Sequence, residues 1–364
     1  MRIAYDHQIF ALQRHGGISR YFAELIQNLQ REAAVDASVI APVYINEYLQ
    51  RPDVRERVHG QYLPLKFRGN ARLVGALNSV LLPIGWRNRS FDVIHETYYS
   101  PVRRGRARVR VLTIYDMIHE LFPAEFPDSA SISAAKRAAV ARADHVICIS
   151  ETTRRDAIEL LSIPAEKCSV TYLGWSLDAS SSTALARRRP FVLYVGNRNT
   201  YKNFGVMVQA FATSSVLRQQ FDLIAFGGRA FSLEERKDLQ RAGIEQQAYH
   251  LQGNDAVLKA HYAAAAAFVY PSKYEGFGIP PLEAMACDCP VICSSAGSIS
   301  EVVGDAGAYF EPDDAATLAS LIEKVGNDKA FADTLRSKGR ERLKRYSWAQ
   351  CAVDTMRIYR ELAG

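Results

Sequence analysis

Ala267-Phe-Val-Tyr-Pro-Ser-Lys-Tyr-Glu-Gly-Phe-Gly-Ile-Pro-Pro-Leu-Glu283 reads as a short strand, a glycine loop and a helix start. The apolar run 267–270 has strand length, and Pro281 falls in the first turn of a helix, where its missing N–H costs little. Gly276 and Gly278 let the backbone approach a ligand, and Glu275 and Glu283 flank them. A strand that passes at once into a helix is half of a βαβ unit and predicts a parallel sheet.

The same alternation extends both ways from this stretch. In the second half, strands are expected at 191–195, 221–225, 248–251, 267–270, 291–293 and 308–310. In the first half they are expected at 1–5, 37–41, 93–95, 109–114, 145–149 and 169–172, with helices at 18–29 and 132–142. The reading is an α/β chain of two doubly wound, Rossmann-like domains, 1–174 and 190–346, whose strand ends border a cleft. Residues 175–189, with Ser180, Ser181, Ser182, Arg187, Arg188 and Arg189, read as a linker. A final helix within 347–364 carries Trp348, Val353, Met356 and Tyr359 as an apolar stripe.

At 364 residues, 48% apolar and 23% charged, the chain has the length for two cores and the composition of a globular protein. Its longest apolar run, Tyr262 to Tyr270, is half a bilayer span, and a strand stands where a secretion signal would begin, so a cytoplasmic location is expected. Six cysteines then read as reduced, packed thiols, and Cys287, Cys289 and Cys293 fit no zinc spacing. The net charge is +6, and residues 1–174 hold 23 Lys and Arg against 18 Asp and Glu. Much of this excess is Arg87, Arg89, Arg103, Arg104, Arg106, Arg108 and Arg110, beside only Asp92 and Glu96. A solvated loop face is one reading; attraction to anionic lipid or a phosphorylated acceptor is the other. Nucleic acid is disfavoured, because no aromatic-interleaved basic stripe accompanies the charge, and no G-x-G-x-x-G supports a dehydrogenase.

In the opening stretch, N–H groups at the helix start suit a phosphate, Glu283 in the first turn can accept from both hydroxyls of a ribose, and Glu275 can hold sugar hydroxyls. A carboxylate offsetting the helix dipole beside turn glycines is the plainer alternative. Gly196-Asn-Arg-Asn-Thr-Tyr-Lys-Asn203 follows the first strand of the second half. There the planar fork of Arg198 and the point charge of Lys202 suit a diphosphate, with solvated surface cations as the alternative. Gly227, Gly228, Gly253, Asn254, Asp255 and Leu258 either border a nucleobase or serve as turn and cap residues. No Asp-x-Asp pair stands at a strand end to hold a divalent ion, so neither a metal nor a cofactor is expected.

Together, the E-x7-E spacing, Pro271-Ser-Lys-Tyr274 and the Gly-x-Arg-x-x-x-Lys-Asn loop resemble the retaining family-4 glycosyltransferases of the GT-B fold, over nearly the whole chain. His15-Gly-Gly-Ile-Ser-Arg20 resembles that family's glycine loop under the donor diphosphate. Thr113-Ile-Tyr-Asp-Met-Ile-His119 resembles the segment that reaches the donor sugar, and the last helix the one that crosses back onto the N-terminal domain. The resemblance implies that Arg198 and Lys202 hold the diphosphate with Gly16, Gly17 and Gly196 close to it, and that Glu283 holds the ribose. It also places the transferred sugar on Glu275 with the amides of Phe277 and Gly278, in the loop that holds Gly276 and Ile279. Asp116 and His119 are the candidates to contact the sugar or position the acceptor hydroxyl. This chain departs from the family pattern at Tyr115, where many relatives have His, at Asp288, where Gly is usual, and at Ser300, often Pro.

The activity so implied is transfer of a hexose from a nucleoside diphosphate sugar to a hydroxyl, with the anomeric configuration retained. Tyr5-Asp-His-Gln-Ile-Phe10 and Tyr115-Asp-Met-Ile-His119 resemble bacterial polysaccharide mannosyl- and rhamnosyltransferases. That implies GDP-mannose or a related GDP-deoxyhexose as donor. The implied acceptor is a lipid-linked glycan of a surface polysaccharide such as lipopolysaccharide, met at the inner face of the membrane with peripheral contact to anionic lipid. A sugar-nucleotide epimerase and a non-catalytic nucleotide-sugar-binding scaffold are the rival readings.

Overall fold

Runs such as Phe191–Val195 and Val291–Ser294 lack the polar alternation of a half-exposed strand, and both are buried nearly throughout, as in a sheet covered on both faces. The computed structural model describes residues 1–30, 34–64, 70–177 and 189–364. Ser180, Ser181, Ser182, Arg187 and Arg188 of the expected linker lie outside them. The chain forms two compact units, Met1–Gly174 with Ser347–Gly364, and Trp175–Tyr346.

In the first unit the strands are β1 (Arg2–Asp6), β2 (Asp36–Tyr44), β3 (Val58–Tyr62), β4 (Ser90–Glu96), β5 (Arg106–Ile114), β6 (His145–Cys148) and β7 (Cys168–Val170). They pair in the order β3-β2-β1-β4-β5-β6-β7, every pairing parallel. The helices are α1 (Gln8–Leu12), α2 (Gly17–Leu29), α3 (Pro52–Arg55), α4 (Asn70–Gly85), α5 (Ile118–Leu121), α6 (Ser129–Arg142) and α7 (Glu151–Leu161). The closing helix, Trp348–Ala363, is capped by Ser347, whose Oγ accepts from the Gln350 N–H, and packs on α2. Trp348, Met356 and Tyr359 of the expected stripe are buried, but Val353 is 54% exposed. Cys351, Ala352 and Thr355 complete the inward face.

That helix is held by a polar network as well as by apolar contact. Buried His95 meets Tyr359 Oη at 2.5 Å through Nδ1 and Thr113 Oγ1 at 2.7 Å through Nε2. Tyr5 Oη lies 3.3 Å from Tyr359 Oη. Burial pushes the His95 imidazole down to about 3, so it is neutral in the fold. Elsewhere in the unit, Arg110 departs from the expected basic surface. It is buried, donating to Glu96 at 2.9 Å, and Arg142 donates to both oxygens of the same carboxylate. A guanidinium this deep requires such a partner.

The second unit holds β8 (Phe191–Val195), β9 (Asp222–Phe226), β10 (Ala248–Leu251), β11 (Ala267–Tyr270), β12 (Val291–Ser294) and β13 (Gly307–Phe310) in the all-parallel order β10-β9-β8-β11-β12-β13. Its helices are α8 (Phe204–Thr213), α9 (Ser215–Gln220), α10 (Leu233–Arg241), α11 (Asp255–Ala264), α12 (Ile279–Ala286), α13 (Ile299–Val303), α14 (Ala315–Asn327) and α15 (Lys329–Leu343). Side-chain caps at Ser214, Ser232, Asn254, Asp314 and Asp328 set five of the helix starts locally. In each unit the strand order reverses once, between β1 and β4 and between β8 and β11. Ligands of doubly wound sheets sit outside the carboxyl ends of the strands at such a reversal.

β3, α4 and α7 were not among the expected elements. β3 is a short edge strand with a central glycine, and α4 is apolar on more than its inner face and contains Pro83, so neither shows a clean period.

Candidate active site

The loops after β8 and β11 leave adjacent strands at the reversal of the second sheet, and the backbone ties them together: Lys273 N–H donates to Tyr201 O at 2.7 Å. This brings Lys202 Nζ to 2.6 Å from Glu275 Oε1, with both side chains mostly buried. The ammonium also lies 5.0 Å from the centre of the Tyr201 ring and 5.9 Å from that of Tyr270. Burial first, and then the Glu275 carboxylate, raise the Tyr270 phenol well above its usual range. Lys202 and Glu275 therefore form one site, framed by two tyrosines.

The Glu275 loop rests on a segment that the sequence reading passed over. Ser298 Oγ donates to Glu275 O at 2.8 Å and to Phe277 O at 2.9 Å. Gly297, at φ +61°, lies so close that a Cβ there would stand 2.9 Å from Glu275 N. Ser-Ala-Gly-Ser298 follows β12, the next strand along, and its place after that strand was the signal available. Gly278 caps α12 at φ +115°, Gly276 and Phe277 are buried, and the Phe277 ring packs edge-on against Tyr346 at 5.6 Å.

Two details of the quoted stretch are corrected. α12 begins at Ile279, so Glu283 lies in its second turn, where it is buried with Tyr262 Oη 3.5 Å from its Oε2. Pro280 and Pro281 occupy the second and third helical positions, which removes two of the N–H groups the helix start was expected to offer a phosphate.

Arg198 and Lys202 were expected to act together, but their side chains meet different carboxylates. Arg198 Nε donates to Glu235 Oε1 and one terminal nitrogen to Arg229 O, both at 2.6 Å, and the guanidinium lies over the rings of Phe204 and Phe231. Its side chain is 2% exposed, and Nη1 is buried without a hydrogen-bond partner. Burial pushes the Glu235 carboxyl up, but Arg198 and the Ser232 backbone pull it down further, to a net lowering. A hollow of about 520 Å³ beside α8 and α10 is lined by Arg198, Asn203 and Glu235 and not by Lys202 or Glu275.

Gly196, at φ +133°, has nothing within 4 Å of where a Cβ would point, and Gly228 packs against it. Asn254 caps α11 by accepting from Val257 N–H at 3.1 Å, with Leu258 one turn on. These residues line one end of the sheet at the carboxyl ends of β8, β9 and β10.

The remaining candidates belong to the first unit. Gly16 precedes α2 and Gly17 opens it, with nothing within 4 Å of a Cβ at Gly17. Asp116 Oδ1 accepts from Ile118 N–H at 3.2 Å, and Asp116 O accepts from Lys136 Nζ at 3.0 Å. Lys136 is fully buried and pairs with Glu120 Oε2 at 2.6 Å, a contact the sequence did not reveal. The His119 ring lies 4.8 Å from that of Phe126, tilted by 47°, and its Nδ1, like Glu120 Oε1, is buried without a hydrogen-bond partner. Both residues line a hollow of about 320 Å³ with Ser129, Ser133 and Arg137.

Sequence models of two families match end to end: one described as Glycosyltransferase Family 4 over residues 15–179, the other as Glycosyl transferases group 1 over 178–342. The chain belongs to the family-4 glycosyltransferases. The transferase is 29% identical to O-antigen chain mannosyltransferase B of Escherichia coli, over 95% of this chain and 96% of that protein. It is 30% identical to O-antigen chain mannosyltransferase RfbU of Salmonella typhimurium, over 60% of this chain and 61% of that one. Among solved structures, sucrose-phosphate synthase from Thermosynechococcus elongatus superposes with a TM-score of 0.76 at 22% identity, over 99% of this chain and 98% of that one. The transferase has the GT-B fold, two parallel-sheet Rossmann-like domains. Among the described residues no cluster of three or more His, Cys, Asp or Glu side chains is placed to hold a metal ion, and no helix is long and apolar enough to cross a membrane.

Proposed function

We propose that the transferase moves mannose, or a related deoxyhexose, from its GDP derivative to a hydroxyl of a lipid-linked glycan, with retention and without a metal ion. The observation that carries this reading is the Lys202–Glu275 pair at the carboxyl ends of β8 and β11, where a doubly wound sheet takes its ligand. Lys202 is the positive charge available to a departing diphosphate, and Glu275 an acceptor for hydroxyls of the transferred sugar. Glu283, deeper in α12, takes the ribose. The mannosyltransferase names of the two curated relatives support the choice of sugar and of a polysaccharide acceptor.

In this reading the bond from the anomeric carbon to the phosphate oxygen breaks as the bond to the acceptor oxygen forms on the same face. The acceptor proton passes to the leaving phosphate. Glu275 is held by Lys202 and acts as a binding group rather than a covalent nucleophile. Lys202 is worth most as charge develops on the leaving group, since a fixed cation in a dry site favours the transition state over the ground state. Asp116 and His119 position the acceptor hydroxyl, and the unpartnered Nδ1 of His119 is the atom that would receive it.

The test is a thermal-shift screen against GDP, UDP, ADP and their sugar conjugates, followed by proton NMR of the product. Stabilisation by GDP and GDP-mannose that is lost in Glu283→Ala, with an α-linked product from the α-linked donor, is expected. Stabilisation by UDP sugars alone would overturn the donor, a β-linked product would overturn retention, and loss of activity in EDTA would overturn metal independence. Release of an altered sugar nucleotide without acceptor would replace transfer by epimerisation.

A further inference from the structure

On α4 the large aliphatic side chains point the wrong way for a helix serving only the core. Its inner face is Val74, Asn78, Leu82 and, just beyond the helix, Trp86, all buried. Asn78 fixes that face, since its Oδ1 accepts from Val43 N–H at 3.0 Å and its Nδ2 donates to Val43 O at 2.9 Å. With the inner face so pinned, Leu73, Leu77, Val80, Leu81 and Ile84 form a second apolar stripe on the outside. Val80 is 71% exposed and Ile84 67%. The spacing i, i+4, i+7, i+8, i+11 keeps them on one side of the helix, so this is a continuous patch and not scattered exposure.

The charge around the stripe has one sign. From Arg57 to Phe91 there is no Asp or Glu, and Arg87 follows the helix, exposed. The arginine loop of β5 reaches the same end of α4: Gly105 sits on the Trp86 indole, where a Cβ would come within 2.4 Å of the ring. Beside Gly105, Val102, Arg103 and Arg106 are exposed. An exposed apolar stripe flanked by cations, on a helix of 16 residues and about 24 Å, is too short to span a bilayer and suited to lie in its surface.

We infer that the outer face of α4, with Arg87, Arg103 and Arg106 beside it, docks the first unit onto an anionic lipid surface, the aliphatic stripe entering the head-group boundary. The cationic rim selects this partner over a second copy of the chain, because two such faces would bring like charges together. The inference rests, for its purpose, on the proposal that the acceptor is carried on a lipid.

The experiment is flotation of the full chain with phosphatidylethanolamine–phosphatidylglycerol vesicles and with phosphatidylcholine vesicles. The unaltered protein should float with the anionic vesicles, less in high salt, and poorly with the neutral ones. Val80→Glu with Ile84→Glu should reduce flotation at least tenfold while circular dichroism and the thermal response to donor stay unchanged; Arg103→Ser with Arg106→Ser should reduce it partly. Wild-type flotation by the Val80/Ile84 variant would overturn the inference. So would a dimer in sedimentation that those two changes dissociate, which would assign the face to a second copy. Transfer to a short soluble acceptor, measured in the same variants, separates the two readings: flotation with exclusive use of soluble acceptors would end the lipid-linked acceptor and leave the docking face standing.

Discussion

Lys202 and Arg198 are both cations on the loop after β8, and the structure gives them different carboxylate partners. Lys202→Ala should lower kcat by about thirty- to nine-hundredfold, some 2 to 4 kcal/mol of lost transition-state stabilisation, with KM for the donor less affected and the fold intact. Arg198→Ala should act first on stability. It leaves Glu235 without its buried partner, and urea unfolding should show a loss of about 3 to 5 kcal/mol that Glu235→Ala in the same chain partly restores. Equal stability of Arg198→Ala with collapsed kcat would return Arg198 to the diphosphate. Lys202 and Glu275 were legible because both sit on short loops directly after apolar runs, so the sheet alone brings them together. Arg198 was not, because its carboxylate comes from α10, and nothing local marks Glu235 as more than the third residue of a capping box.

Among the elements, the ones that read clearly were the strands with unbroken apolar runs and the helices at 18–29 and 347–364, whose apolar residues recur at helical spacing; α7 was missed although Ser150 caps it. α4 was missed because its period is blurred by the outward stripe that makes it unusual. Its inward anchor is a single polar residue, Asn78, serving both backbone groups of Val43 beside the irregular pairing of β2 with β3. Asn78→Ala would leave a buried N–H and a buried C=O unpaired. Urea unfolding should register a loss of about 2 kcal/mol or more, against a few tenths for a change at exposed Val80. The placing of Glu283 one turn too early has a similar cause. Pro281 and Glu283 were placed together in the first turn, whereas Gly278, through its positive φ, ends the loop and lets Ile279 begin the helix.

For the whole molecule, the two parallel sheets followed from the alternation of strands and helices; the network under the closing helix did not, because it joins residues far apart in sequence. Its titration gives a prediction for the entire first unit. His95 is neutral in the fold, with its imidazole at about 3 against an ordinary 6.5. As pH falls below 6.5 the unfolded chain takes up a proton that the folded chain refuses. Stability from this group is therefore constant above that pH and declines toward pH 3, by a total on the order of 5 kcal/mol. Denaturation curves at pH 7 and 4.5 should show the decline, and His95→Gln should flatten its share. Tyr359→Phe, which strips the Nδ1 partner, should cost about 1 kcal/mol at neutral pH.

The split composition of the first unit also bears on the order in which a ribosome can deliver this protein. Domains usually fold as they emerge, the earlier before the later. Here Trp348, which lies beside Tyr21, and Tyr359, which closes over Tyr5 and His95, are synthesised only after all of Trp175–Tyr346. The unit begun first is completed second. A nascent chain paused at Tyr346 would carry a finished second unit and an uncovered aromatic seam in the first, the kind of surface that chaperones hold until translation ends.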